Sequence, residues 1–428
     1  MRRASLLGLI LLSPALALRG ASVYTGRIDD PKAIYLTQPE FAVHADGVTD
    51  DTEAIQAAID KVQDTTGEGI LFVPEGRYRI THTVYVWPGI RVIGYGARRP
   101  VMVLADHTPG YQNGVADMFF FAGYRPGHFS LFGPAAAPRT TEVPPYFGPP
   151  SPPGPVPPTR TMPDANPGTF YSAMSNIDFE VGQDNAGAVA IRFHAAQHSY
   201  LAHIDFHMGS GLAGLHDIGN EAEDLHFYGG RYGILTRKPS PAWQFTLLDS
   251  TFEGQREAAI RENEAGLTLV HDTFRNVPTA VAIDRDYADE LWIKDAVFED
   301  ISGPAIIISN EHSRMTEISA ENILCRNVPV FAKFRASGRT LAGRDNIYQV
   351  KILSHGLMLP DEGAAGSIET KYEAAPLTAM PAPTPNVIAA VPPVSEWTNL
   401  RALGAKGDGQ TDDTAIIRQA IAEHRVIY

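Results

Sequence analysis

From Phe170 onward, large apolar residues return at a spacing that few folds maintain. Phe179, Phe206, Phe227, Phe252, Phe274, Phe298 and Leu324 follow one another at 27, 21, 25, 22, 24 and 26 residues, each in an alternating apolar strand. A second, Gly/Ala-rich strand follows each of the first six, carrying Ile191, Leu215, Ile234, Ile260, Ile283 and Ile308 at intervals of 24, 19, 26, 23 and 25. Two strand types recurring together predict stacked coils, an all-β, right-handed parallel β-helix. A leucine-rich repeat fits less well, because its Leu/Asn spacing is missing. Such a stack has an open end with unpaired backbone groups and an apolar interior, so it needs a cap.

The cap is legible upstream. Asp46-Gly47 and Asp50-Asp51-Thr52 precede Ile55, Ala58, Ile59 and Val62 at helical spacing, so Thr49 or Asp50 is placed to begin an amphipathic helix over about residues 51–62. Short β runs follow, Gly69–Pro74 and Ile90–Gly94 among them. On this reading the three aspartates shape a turn and a helix start and do not bind metal. The same stretch returns as Gly407–Ile421, at a constant offset of 408 − 46 = 362. That distance is too long for a solenoid unit and right for a whole domain. We therefore expect one β-helix over residues 35–372 and the start of a second over 397–428, with any function that needs both halves incomplete within these residues. Thirteen prolines within residues 134–167 predict a long inserted loop, and six between Pro376 and Pro393 predict a linker over 373–396.

Met1-Arg2-Arg3, the apolar run Leu6 to Leu18 and the small-residue site Ala15-Leu16-Ala17 have the form of a secretory signal within residues 1–21. The run is shorter than the ~20 residues that span a bilayer. A secreted or periplasmic protein is expected, stable without an internal disulfide, since Cys325 is the single cysteine and suits a small buried position. Lys+Arg number 35 against 49 Asp+Glu, a net charge of −14, which disfavours nucleic acid, anionic membrane and polyanionic substrates. A neutral polysaccharide is the easier partner; a monomer without cofactor is expected.

The opening Asp46-Gly47, Asp50-Asp51-Thr52 and Ala54-Ile55-Gln56, with Phe72-Val73-Pro74-Glu75-Gly76-Arg77-Tyr78, resembles that of the pectate-lyase superfamily. The stretch Ala190 to Ile204, then Asp224-Leu225-His226-Phe227-Tyr228-Gly229-Gly230-Arg231-Tyr232-Gly233, is similar to the first β-helix of glycoside hydrolase family 55, β-1,3-glucanases built from two tandem β-helices. The resemblance implies inverting hydrolysis of β-1,3-glucan in a cleft between the helices, with carboxyls ~6.5–9.5 Å apart where two are used. It places the general acid in the second helix, beyond Tyr428, so these residues are expected to be inactive alone and to supply one cleft wall.

For that wall the expected substrate contacts are Gln197, which lies in the family-like motif, and Asn220 and Glu221 one coil later; an amide both donates to and accepts from sugar hydroxyls. Trp243, Tyr228 and Tyr232 are possible stacking platforms, more often packed residues. Six of the 14 histidines lie between 194 and 226, and His203, Asp205 and His207 alternate outward on one strand. That row suits a metal by residue type, but same-face neighbours sit ~6.8 Å apart, so an ordinary solvated face is the expectation. Asp284, Arg285, Asp286, Asp289 and Glu290 are expected to be a solvated turn rather than a calcium site. Polygalacturonase patches are missing: no Asp-Asp pair falls in the coils, and there is no Gly-His-Gly. A pectin-active enzyme and a non-catalytic carbohydrate-binding or structural β-helix remain the alternatives.

Overall fold

The computed structural model describes residues 20–37, 39–126, 162–165, 168–236, 244–263, 265–288, 290–363, 365–382, 384–385, 388 and 390–428. Residues 1–19, Trp243, Asp289 and nearly all of the proline-rich loop lie outside them.

Strands stack in three columns, giving the right-handed parallel β-helix expected from the sequence. The first contains Gly69–Pro74, Ile90–Tyr95, Ala173–Ser175, Phe245–Leu248, Leu267–Val270 and Glu290–Lys294. The second contains Arg77–Arg79, Val101–Leu104, Asp178–Val181, Thr251–Glu253, Thr273–Arg275 and Val297–Glu299. Longer strands, Tyr200–His207, Glu221–Tyr228 and Glu317–Arg326, cross from the first column to the second. The third column is a separate sheet that includes Ala116–Phe121, Ala188–Arg192, Ala213–His216, Tyr232–Thr236 and Ala258–Glu262. Neighbours pair in parallel until the stack reaches Ile347–Met358 and Ser367–Pro376, which close it antiparallel. The last strand runs through Pro376, so the linker begins after it and not at residue 373.

The phenylalanine spacing is the core. Rings of Phe179, Phe206, Phe227, Phe252, Phe274 and Phe298 lie 5.5, 4.8, 4.6, 4.9 and 5.2 Å apart in succession, matching one strand step per coil. Space for them comes from the third column: a Cβ on Gly214 would sit 2.6 Å from the Phe227 ring and one on Gly233 2.5 Å from Phe252. Two register expectations shift. Phe298 pairs with Cys325, so the buried cysteine continues the ladder in place of Leu324. Ile260 pairs with Val281, while Ile283 lies opposite Glu262. Both slips come from coil lengths that vary by a few residues, which regular spacing does not reveal.

Each coil changes direction at a residue with positive φ, a conformation that Gly, Asn and Asp tolerate best. Between the first and second columns these are Asn176, His203, Asp224, Asp249, His271, Asp295 and Asn322, with φ from 50° to 62°. At the next corner they are Gly209, Gly229, Gly254, Asn276, Asp300 and Asn327. Side chains link the first set from coil to coil: His203 bonds Asp224 at 2.7 Å, His271 approaches Asp249 at 3.3 Å, and Asn322 donates to Asp295.

The helix Thr52–Thr66 buries Ile55, Ala58, Ile59 and Val62 over the first coils. Its cap differs from the expectation. Asp51 is the N-cap residue, yet its carboxylate points back and accepts the His44 and Ala45 amides at 2.7 and 3.0 Å; Asp50 takes the Thr52 amide at 3.0 Å. The second copy repeats this at every equivalent position. Asp413 accepts from Lys406 and Gly407, Asp408 from Gln410 and Thr411, and Asp412 from Thr414. The packing differs: on the helix Thr414–Glu423, Ile417 and Ile421, the counterparts of Ile55 and Ile59, are 38% and 64% exposed.

Candidate functional site: a polar and aromatic strip on the first column

Residues pointing outward from the first column form a row. Tyr200, Glu221, Thr246, Thr268, Trp292 and Ser319 are successive register partners. At its near corner Tyr171, 41% exposed, stacks on His198 with ring centroids 5.1 Å apart. Gln197 and Glu221 are exposed here. Asn220 is spent structurally: at φ 63° its amide donates to Ser199 O at 3.0 Å, fastening two coils. The structure thus gathers the three expected contact residues at one corner, with Gln197 and Glu221 facing outward. Beside Glu221, the Glu223 carboxyl is pushed upward by burial and by neighbouring carboxylates against the pull of His203. Trp292, 37% exposed, marks the far end and had no signal beyond its place in an alternating strand.

The His203, Asp205 and His207 row is not a solvated face. His203 is a corner residue, and Asp205 is 1% exposed. Arg99 reaches in from a loop and binds Asp205 at 2.9 Å, Asp178 at 3.3 Å and Asp224 at 3.5 Å. Residues 20–23 lie over this cluster: the Gly20 amide donates to Asp205 at 2.9 Å, Ala21 O accepts from Arg99, and the Val23 amide donates to Asn176 at 3.0 Å. Burial and the nearby Asp205 push the Asp178 carboxyl up to about 6, against Arg99. Burial acts on Asp224 in the same direction, but hydrogen bonds from His203 and His226 hold it well below the usual carboxylate range. A sequence pattern of alternating polar residues cannot reveal a distant arginine or a covering segment.

A second charged cluster backs the third column. Arg192 binds Asp164 through two bonds of 2.9 and 2.8 Å and Asp217 at 2.7 Å, with His194 and His216 beside it. Asp284 is paired with Arg261 at 2.8 Å, and no metal-like cluster of His, Cys, Asp and Glu occurs among the described residues. Tyr228 and Tyr232, possible platforms by residue type, are packed: Tyr228 stacks on His207 at 4.8 Å, and Tyr232, 1% exposed, donates to Glu257.

A long parallel stack, capped by a helix and bearing an open polar strip, makes the chain a right-handed parallel β-helix. Residues 39–119, the cap helix and first coils, match the family described as rhamnogalacturonase A/epimerase, pectate lyase-like. A glucan 1,3-beta-glucosidase of Cochliobolus carbonum is 34% identical over 92 residues, 18% of this chain and 11% of that protein. Among solved structures, the surface adhesin PfbA of Streptococcus pneumoniae aligns over 79% of this chain and 98% of its own at 11% identity and TM-score 0.34. The hyperthermoactive exopolygalacturonase of Thermotoga maritima aligns over 81% and 97% at 12% identity and TM-score 0.28. At such identities and scores these structures carry no argument about substrate.

Proposed function

We propose that this chain is an exported, polysaccharide-active protein, the first β-helix of a two-helix β-1,3-glucan hydrolase acting with inversion. The observation that supports it most is the outward strip from Tyr171 and Gln197 to Trp292, with aromatic faces at its two ends and Glu221, Thr246 and Thr268 between them along one sheet. Aromatic faces suit the apolar faces of pyranoses, and amides and hydroxyls suit their rims. In this reading Gln197 and Glu221 contact substrate, and the second unit, whose capping turn repeats the first bond for bond, supplies the general acid.

Glucose release from laminarin by purified protein that includes the complete second helix, with no release from polygalacturonate, is the expected result; Gln197→Ala lowers that turnover at least tenfold. Turnover unchanged by Gln197→Ala sinks the site assignment, and activity on polygalacturonate alone sinks the substrate class. Residues 1–428 by themselves are expected to bind laminarin without cleaving it. N-terminal sequencing of protein recovered from the periplasm or medium, with the leader removed, tests export.

A further inference from the structure

The far end of the strip is concave. Where the parallel stack meets the antiparallel strand Ile347–Met358, the sheet surface encloses a groove of about 520 Å³ around Trp292, within the range of small-ligand sites. One wall is the parallel strand Glu290–Lys294 with Gln244 beside it; the other is Ser354 to Met358. Its polar groups are already oriented. Gln244 donates to Glu290 at 3.0 Å and accepts from Thr268 at 3.2 Å, which fixes the amide and leaves the carboxylate positioned at the groove edge. That second wall is pinned: His355, 3% exposed, bonds Thr370 at 2.8 Å and Glu311 O at 3.1 Å.

Resting on the polysaccharide reading above, we propose that this groove is a second binding subsite of the strip, taking an uncharged glycan chain whose ring stacks on Trp292. Charge selects the class. Among the described residues the groove is lined by two carboxylates, Glu290 and Glu317, against the one ammonium of Lys294 that sits over the Trp292 ring, so a polyuronate is disfavoured. The Trp292 face attracts polarised C–H groups as it attracts the Lys294 ammonium, 5.8 Å from the ring centroid. Carboxylate and amide accept and donate at hydroxyls, which polyols supply and hydrocarbons do not. Trp292 lies four strand steps from Tyr200, the strip's near end, and at ~4.8 Å per step that is roughly 19 Å, a span that a short oligosaccharide bridges.

Calorimetric titration of laminarin oligosaccharides into the purified chain tests this, with polygalacturonate oligosaccharides as the charged probe at physiological salt. Trp292→Ala is expected to weaken laminarin-oligosaccharide binding at least tenfold, Trp292→Phe to retain most of it, and Gln244→Ala to weaken it severalfold, all with unchanged thermal unfolding. Equal affinity for Trp292→Ala and wild type overturns the subsite while leaving the wider reading intact. Absence of glycan binding by the wild-type chain overturns both. Polygalacturonate binding as tight as that of laminarin oligosaccharides overturns the choice of an uncharged chain.

Discussion

Asp178 is a pH lever in the buried cluster beneath the N-terminal segment. One of its oxygens accepts the Asp205 amide and Arg99; the other is buried without a hydrogen-bond partner. That geometry suits a protonated carboxyl. The folded group holds its proton up to about 6, whereas an unfolded aspartate loses it near 4. Between those values the folded state binds more protons, so this group's contribution to stability falls as pH rises through that window, by on the order of 3 kcal/mol. Asp178→Asn preserves the acceptor and removes the titration. Its stability should match wild type near pH 4 and exceed it at pH 8 in urea unfolding; equal pH profiles refute the assignment. The stacked rings make a different demand. Phe227 sits between Phe206 and Phe252 at 4.8 and 4.6 Å, with Gly214 leaving no slack behind it. Phe227→Ala should cost about 3–5 kcal/mol in the same measurement.

At the scale of elements, the capping turn is identical twice while its helix is buried once. Removing the Asp51 carboxylate orphans the His44 and Ala45 amides at a turn the first coils rest on, so Asp51→Ala should lose roughly 1–3 kcal/mol. Asp413→Ala breaks the equivalent bonds at an exposed turn and should leave the main unfolding transition unmoved. What was legible follows the same division. Phenylalanines at one step per coil announced the stack, and Ile55, Ala58, Ile59 and Val62 announced the cap, because apolar burial writes a period into a chain. The corners wrote one too, in Asn176, His203, Asp224, Asp249 and Gly229, Gly254, Asn276, and those positive-φ ladders were the available signal for why His203 is not a ligand. The Arg99 cluster left no trace, since its members lie as far apart as residues 20 and 224. Gln197, Asn220 and Glu221 were placed together by coil arithmetic, but only the backbone bond of Asn220 separates the structural member from the outward two.

For the whole molecule, the chain's two described ends meet. After crossing the buried carboxylates, the N-terminal segment continues to Tyr24, whose carbonyl accepts the Gly96 amide at 2.9 Å and whose ring meets Trp397 edge-on at 6.1 Å. Trp397 donates to Pro392 O at 2.8 Å, packs on Tyr428 at 6.1 Å, and lies on the short strand that pairs with Val426–Ile427. One side chain therefore joins the N-terminal segment, the linker and the second unit, while contributing nothing to the phenylalanine stack. Local opening is governed by such contacts and global unfolding by the core. Trp397→Ala should accordingly speed protease cleavage between residues 377 and 396 severalfold under native conditions and leave the urea midpoint of the β-helix in place. Cleavage at the wild-type rate would show that the second unit is held to the first by something other than this contact.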